Sequence, residues 1–203
     1  MGVAVVLRGY FIQYKFIVPE SIKHSSYTYQ KLFRALYGYT QNVTKSNGKS
    51  YKYHRRGVLS STPYIRPGKN CVIIPPGTFN PLIDFFKTGK NPSHYWQGKG
   101  DWKAVYYMDE KNLTEDDVRA ALEEQLDRTY IVTNTGEHKR LIEEIAIFTQ
   151  KVKEVGRTDK QAAAVLLSDV EKVVQSPWFK ELPKSSKKLS EFYANYRQLK
   201  ALL

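Results

Sequence analysis

The stretch Asn42–Lys69, NVTKSNGKSYKYHRRGVLSSTPYIRPGK, constrains the fold most. Its centre, Ser46-Asn47-Gly48-Lys49, is a turn signal between two extended runs, and Asn-Gly in that setting predicts a β-hairpin with a type I′ turn. The second arm alternates: Lys49, Tyr51, Tyr53 and Arg55 share one face, Ser50, Lys52, His54 and Arg56 the other. Neither face is aliphatic before Val58 and Leu59. Such a ribbon gains little by lying flat on a core, so the core must be built from the rest of the chain. The ribbon itself is expected to project as a basic, tyrosine-bearing arm, with cations suited to phosphates and rings suited to bases or sugars.

Charge is distributed in keeping with that arm. The 203 residues carry a formal net charge of +12, which makes an anionic partner the first expectation. Residues 1–108 hold 16 Lys and Arg against 3 Asp and Glu, whereas residues 109–203 hold 16 against 17. The first stretch also holds 12 of the 15 tyrosines.

Several classes are disfavoured. Cys71 is the single cysteine, so neither a disulfide framework nor a Cys-based zinc site is expected, and a reducing compartment fits. The opening residues MGVAVVLRGYF lack a basic n-region and a long apolar run, and Val6 breaks the myristoylation pattern. No apolar stretch approaches about 18 residues, so no membrane partner is expected. An intracellular location, cytoplasmic, nucleoid-associated or inside a virion, is the expectation.

Read in order, Val3 to Val18 alternates as a strand whose phase slips at Gly9, and Pro19 ends it. Ser25 or Ser26 caps a helix running to Tyr37, with Tyr29, Leu32, Phe33, Leu36 and Tyr37 inward, Lys31 and Arg34 solvated, and Gly38 as the stop. After the ribbon, Asn70–Pro75 is a short buried strand, Pro75-Pro76-Gly77 a turn, and 78–86 a short helix. Lys87–Asp101 is a surface loop in which Tyr95 and Trp96 are candidates for base stacking. Trp102–Met108 is a strand, Thr114 caps a helix opening with three acids, and Arg128–Thr133 is another strand. This strand–helix–strand unit is expected to complete the N-terminal sheet. From Gly136 onward the pattern is wholly helical. Its three amphipathic segments are stopped by Gly156, capped at Thr158 and broken by Pro177, and they suggest a small bundle or helices laid on the sheet.

No Walker loop, GxGxxG or GxSxG motif occurs, and His24, His54, His94 and His138 lack paired metal-ligand spacing. No cofactor or metal is therefore expected. Asp84, followed by Asp101-Trp102-Lys103 and an apolar run, resembles the motif of the PD-(D/E)xK nucleases. That resemblance implies two carboxylates on a divalent metal and a lysine beside the attacking water. It departs from the pattern in that Asp84 falls in a helix-like segment and Asp101 precedes its strand.

The sequence thus predicts an α+β protein: a mixed or antiparallel N-terminal sheet with a projecting basic β-hairpin, then a C-terminal helical bundle. Residues 1–135 form the nucleic-acid-binding part and 136–203 the helical interaction part, through which the chain binds itself or a protein partner. The expected function is non-catalytic binding of DNA or RNA with little sequence specificity, as a subunit of a nucleoprotein assembly. The candidate contacts are Lys45, Lys49, Tyr51, Lys52, Tyr53, His54, Arg55, Arg56, Arg66 and Lys69, with Lys90, Tyr95, Trp96 and Lys99 from the second loop. The alternatives are the metal-dependent nuclease and a scaffold whose basic part meets an acidic protein or membrane surface.

Overall fold

The computed structural model describes residues 6–93, 100–133, 136–155 and 159–201. They divide into two compact units, Arg8–Leu113 and a second made of Met1–Leu7 with Thr114–Leu203. The division falls at Leu113/Thr114, where the last strand of the first unit ends and Thr114 caps the next helix.

The first unit is built on a three-stranded sheet in the order β4-β1-β5, with β1 (Leu7–Ile17) central, β4 spanning Cys71–Ile74 and β5 spanning Lys103–Leu113. β1 pairs antiparallel with β4, Ile12 opposite Val72. Along β5, Phe16 lies beside Trp102 at one end and Arg8 beside Glu110 at the other, so these strands are antiparallel too. Helices α1 (Tyr27–Tyr37) and α2 (Asn80–Thr88) cover one face. Alternation along β1 sends Ile12, Tyr14 and Phe16 into that face, where they meet Leu32 and Leu36 of α1 and Leu82, Phe85 and Phe86 of α2. Phe16 is the hub of an aromatic cluster, with ring centres 5.4 Å from Phe33 and 5.5 Å from Trp102.

Two strands stand outside this sheet. β2 (Tyr39–Thr44) and β3 (Ser50–Arg55) form an antiparallel hairpin of their own, none of whose strand residues is buried. The order β1-α1-hairpin-β4-α2-β5 is that of a split β-α-β arrangement, with the separate hairpin in place of one sheet strand. The outer edge of β4 is closed instead by a bridge from Ile65 to Ile73.

In the second unit, α3 (Glu115–Arg128) is capped by Thr114, whose Oγ1 accepts the Asp117 N–H at 3.1 Å. The strand after it, β6 (Tyr130–Val132), does not complete the N-terminal sheet. It pairs with β7 (His138–Arg140), a short strand within the stretch read from sequence as wholly helical. At three residues, β7 is too short for its alternation to register against the helical period that follows. Helices α4 (Leu141–Val155), α5 (Lys160–Val174) and α7 (Lys187–Ala201) pack on one another, with the short α6 (Pro177–Glu181) against α3 and α5. Leu122, Ile145, Val170, Trp178, Phe192 and Leu199 are core positions. The cap of α5 is Asp159, whose Oδ1 accepts the Ala162 N–H at 3.0 Å; Gly156 and Thr158, read as stop and cap, lie outside the described residues.

Candidate nucleic-acid interface

The hairpin is set by what holds its neck. Returning from β3, the chain donates Val58 N–H to Ala35 O and Leu59 N–H to Leu36 O, each at 2.9 Å, and so satisfies carbonyls that the end of α1 leaves open. Gly38, at φ +77°, ends α1. A Cβ on Gly57 would stand 2.1 Å from the Gly38 nitrogen, and one on Gly38 would stand 2.6 Å from Arg55 O. Ser60 Oγ accepts the Gly57 N–H at 2.7 Å and completes the joint.

The tip differs from the sequence expectation. Gly48 N–H donates to Lys45 O and Lys45 N–H to Lys49 O, both at 2.9 Å, leaving Ser46, Asn47 and Gly48 as a three-residue loop. Positive φ occurs at Gly48 (+75°) and not at Asn47, which excludes a type I′ turn. Asn47 acts through its side chain instead, Oδ1 accepting the Lys49 N–H at 3.0 Å.

Register then sorts the side chains. Tyr39 faces Arg55, Gln41 faces Tyr53 and Val43 faces Tyr51 on one side. Thr40 with His54, Asn42 with Lys52 and Thr44 with Ser50 occupy the other. The second side is tied by hydroxyl contacts, Thr44 to Ser50 at 2.9 Å and Thr40 Oγ1 to His54 Nδ1 at 3.5 Å.

On the tyrosine side, cations sit over rings. Lys45 Nζ lies 4.6 Å from the Tyr51 ring centre at the tip. At the neck, the Arg34 guanidinium carbon lies 5.1 Å from the ring centres of both Tyr39 and Tyr27, and Lys31 Nζ lies 5.0 Å from Tyr27. Lys31, Tyr27, Arg34 and Tyr39 thus form one run of alternating cations and rings, and Arg55, Tyr53, Tyr51 and Lys45 lie along the same side of the hairpin beyond it. A ring beneath a guanidinium orders it while leaving its edge N–H groups for an acceptor such as phosphate. Six strand residues at about 3.3 Å each make the hairpin part of this face about 20 Å long.

The remaining candidates fall in separate places. Lys49, Lys52, Arg55 and Arg56 are exposed on the hairpin and its base. Ser93 Oγ donates to Arg56 O, tying the start of the second loop to that base. Arg66 and Lys69 lie on the loop before β4, with the Arg66 guanidinium 4.4 Å from the Tyr37 ring centre. Tyr37 hydrogen-bonds Tyr14 through their hydroxyls at 2.8 Å. Burial raises the pKa of both phenols; the Tyr37 hydroxyl raises Tyr14 further, while Arg66 pulls each part of the way back. Lys90 is exposed just past α2, its N–H bonded to Thr88 Oγ1 at 3.1 Å. Tyr95, Trp96 and Lys99 lie outside the described residues.

Tyr27, Lys31, Arg34 and Tyr39 were not among the sequence candidates. Their signal is present in the spacing: Tyr27, Lys31 and Arg34 stand at i, i+4 and i+7 on one helix face. Asp84 and Asp101 are both exposed, on α2 and ahead of β5, and no group of three or more metal-ligating His, Cys, Asp or Glu occurs among the described residues. Nor, among them, is any helix long and apolar enough to cross a membrane. No protein-family model, curated protein or solved structure matches the chain.

Proposed function

We propose that the protein binds nucleic acid without catalysing a reaction, gripping the phosphate backbone along the tyrosine side of the β2–β3 hairpin and the adjoining face of α1. The single observation that carries this reading is the set of cations stacked on rings at both ends of one side of the hairpin, Lys31 and Arg34 over Tyr27 and Arg34 over Tyr39 at the neck, and Lys45 over Tyr51 at the tip, with Arg55 opposite Tyr39 on that same side. No carboxylate occurs between Glu20 and Asp84, so nothing in that stretch of chain competes with phosphate. Phosphate contacts fix position and carry no sequence information by themselves, which fits weak sequence specificity. The second unit, with its balanced charge, is assigned to contact protein, either another copy or a partner subunit within a nucleoprotein assembly.

Ultraviolet cross-linking of the full chain to single- and double-stranded DNA and RNA, with adducts mapped by mass spectrometry, tests the assignment. Adducts at Tyr39, Tyr51 or Tyr53 are expected. Adducts confined to residues 114–203 would overturn it, and binding to an acidic protein surface without any adduct would favour the scaffold alternative.

A further inference from the structure

The sheet of the first unit has a second face. Both helices lie on the side of Ile12, Tyr14 and Phe16, so alternation turns Gln13, Lys15 and Ile17 outward on β1, and Val105 and Tyr107 outward on β5. These are not covered: Ile17 is 47% exposed, Val105 51% and Tyr107 60%. Next to them is an open hollow of about 580 Å³, within the range of about 300–1,000 Å³ usual for small-ligand sites.

Its chemistry is one-sided. The lining brings Lys15 from β1 together with Lys69 from the loop before β4, and it contains no carboxylate among the described residues. Tyr107 lines one wall, and His24, stacked on Tyr29 with ring centres 4.5 Å apart, lines another. Asn70 also lines it, held at φ +56°, the only non-glycine positive φ among the described residues, with its carbonyl accepting the Tyr14 N–H at 2.8 Å. Two cations, an exposed ring and an amide around a recess match the phosphate, the face and the edge of one nucleotide.

We propose that this hollow receives an unstacked nucleotide of a single-stranded nucleic acid, the phosphate between Lys15 and Lys69 and the base against Tyr107. The inference rests on the nucleic-acid reading above and gives it a substrate class. A duplex keeps its bases stacked inside and cannot offer one to a recess without the cost of unstacking it, so the hollow distinguishes single from double strands, whereas the hairpin holds backbone of either kind.

The test measures binding of the full chain to a fluorescent single-stranded oligonucleotide and to the corresponding duplex, for DNA and RNA. Tyr107→Ala is expected to weaken the single strand roughly tenfold while leaving the duplex within about twofold, as expected for removal of one stacking platform. Tyr107→Phe restores binding, and Lys15→Ala/Lys69→Ala weakens the single strand selectively. Asn70→Gly keeps the backbone conformation and reports on the amide alone. Arg55→Ala/Arg56→Ala lowers both affinities. If Tyr107→Ala changes both equally or neither, or if inorganic phosphate displaces the strand as well as a mononucleotide does, the hollow is not a nucleotide site. If the hairpin variant still lowers both affinities in that case, the hairpin reading stands without it. If the wild-type chain binds neither, both fall.

Discussion

Gly57 lies against Gly38 so closely that a methyl group at position 57 would stand 2.1 Å from the Gly38 amide nitrogen and 2.7 Å from Leu36 O. All these neighbours are backbone, which cannot swing aside. Gly57→Ala is therefore expected to lower stability by about 1–3 kcal/mol, the usual cost of overpacking, read from denaturant midpoints. Gly48 at the hairpin tip has open space around a Cβ but φ +75°, so Gly48→Ala is expected to cost about 1–2 kcal/mol through backbone strain alone.

Arg34 joins helix to hairpin, its guanidinium 5.1 Å from the rings of Tyr27 and Tyr39. Arg34→Ala is expected to reduce the salt dependence of nucleic-acid binding by about one unit of slope, the share of one neutralised phosphate. Arg34→Lys keeps the charge and removes the planar stack, so its slope is expected to match wild type while its affinity falls. Equal slopes for wild type and Arg34→Ala would remove Arg34 from the interface.

Much of this fold is legible in the sequence because the signals are local. Ser26 caps α1, with its Oγ accepting the Tyr29 N–H at 3.3 Å, and Thr114 caps α3, both at the positions that their side chains and the following apolar spacing indicate. The hairpin and its two faces follow from Asn47-Gly48 and the alternation of β3. What could not be read is non-local. β6 has the composition of a sheet strand, but its partner is settled by a tight return through Gly136, where Gly136 N–H donates to Thr133 O at 2.8 Å and brings β7 alongside. Arg34 reads from sequence as a solvated helix residue; its guanidinium meets Tyr39 after the chain turns at Gly38, at φ +77°, into β2. The hollow needs residues from four separate segments, and no sequence spacing records their convergence.

The Tyr14 phenol is 2% exposed and bonded to Tyr37. Burial first, and then Tyr37, raises its pKa above the ordinary phenol value. Below about pH 10 the hydroxyl is neutral in folded and unfolded chains alike, and its stabilising hydrogen bond is fully present. Above that, the unfolded chain ionises while the folded one resists, so stability falls with rising pH. Tyr14→Phe is expected to cost about 1 kcal/mol at neutral pH and to flatten the alkaline decline. A decline as steep as in wild type would assign it to other groups.

Phe16 is 1% exposed and touches Phe33, Phe85, Phe86 and Trp102. Phe16→Ala is expected to destabilise by about 3–5 kcal/mol and to shift Trp102 emission toward the red as water reaches the indole. An unchanged unfolding midpoint would contradict the placement of the core.

If the hairpin grips a polyanion, the grip must weaken as salt competes for the phosphates, and a salt titration of binding reads this without further assumption. Wild type and Arg55→Ala/Arg56→Ala would be compared on matched single- and double-stranded DNA and RNA, with a parallel Mg²⁺ series to expose any cleavage. Affinity is expected to fall steeply with salt, and the double variant to flatten the slope by about one unit for each phosphate it no longer neutralises, without cleavage in either series. Weak, salt-insensitive binding that the double substitution leaves unchanged would contradict the hairpin's role, and metal-dependent cleavage would turn attention to Asp84, Asp101 and Lys103.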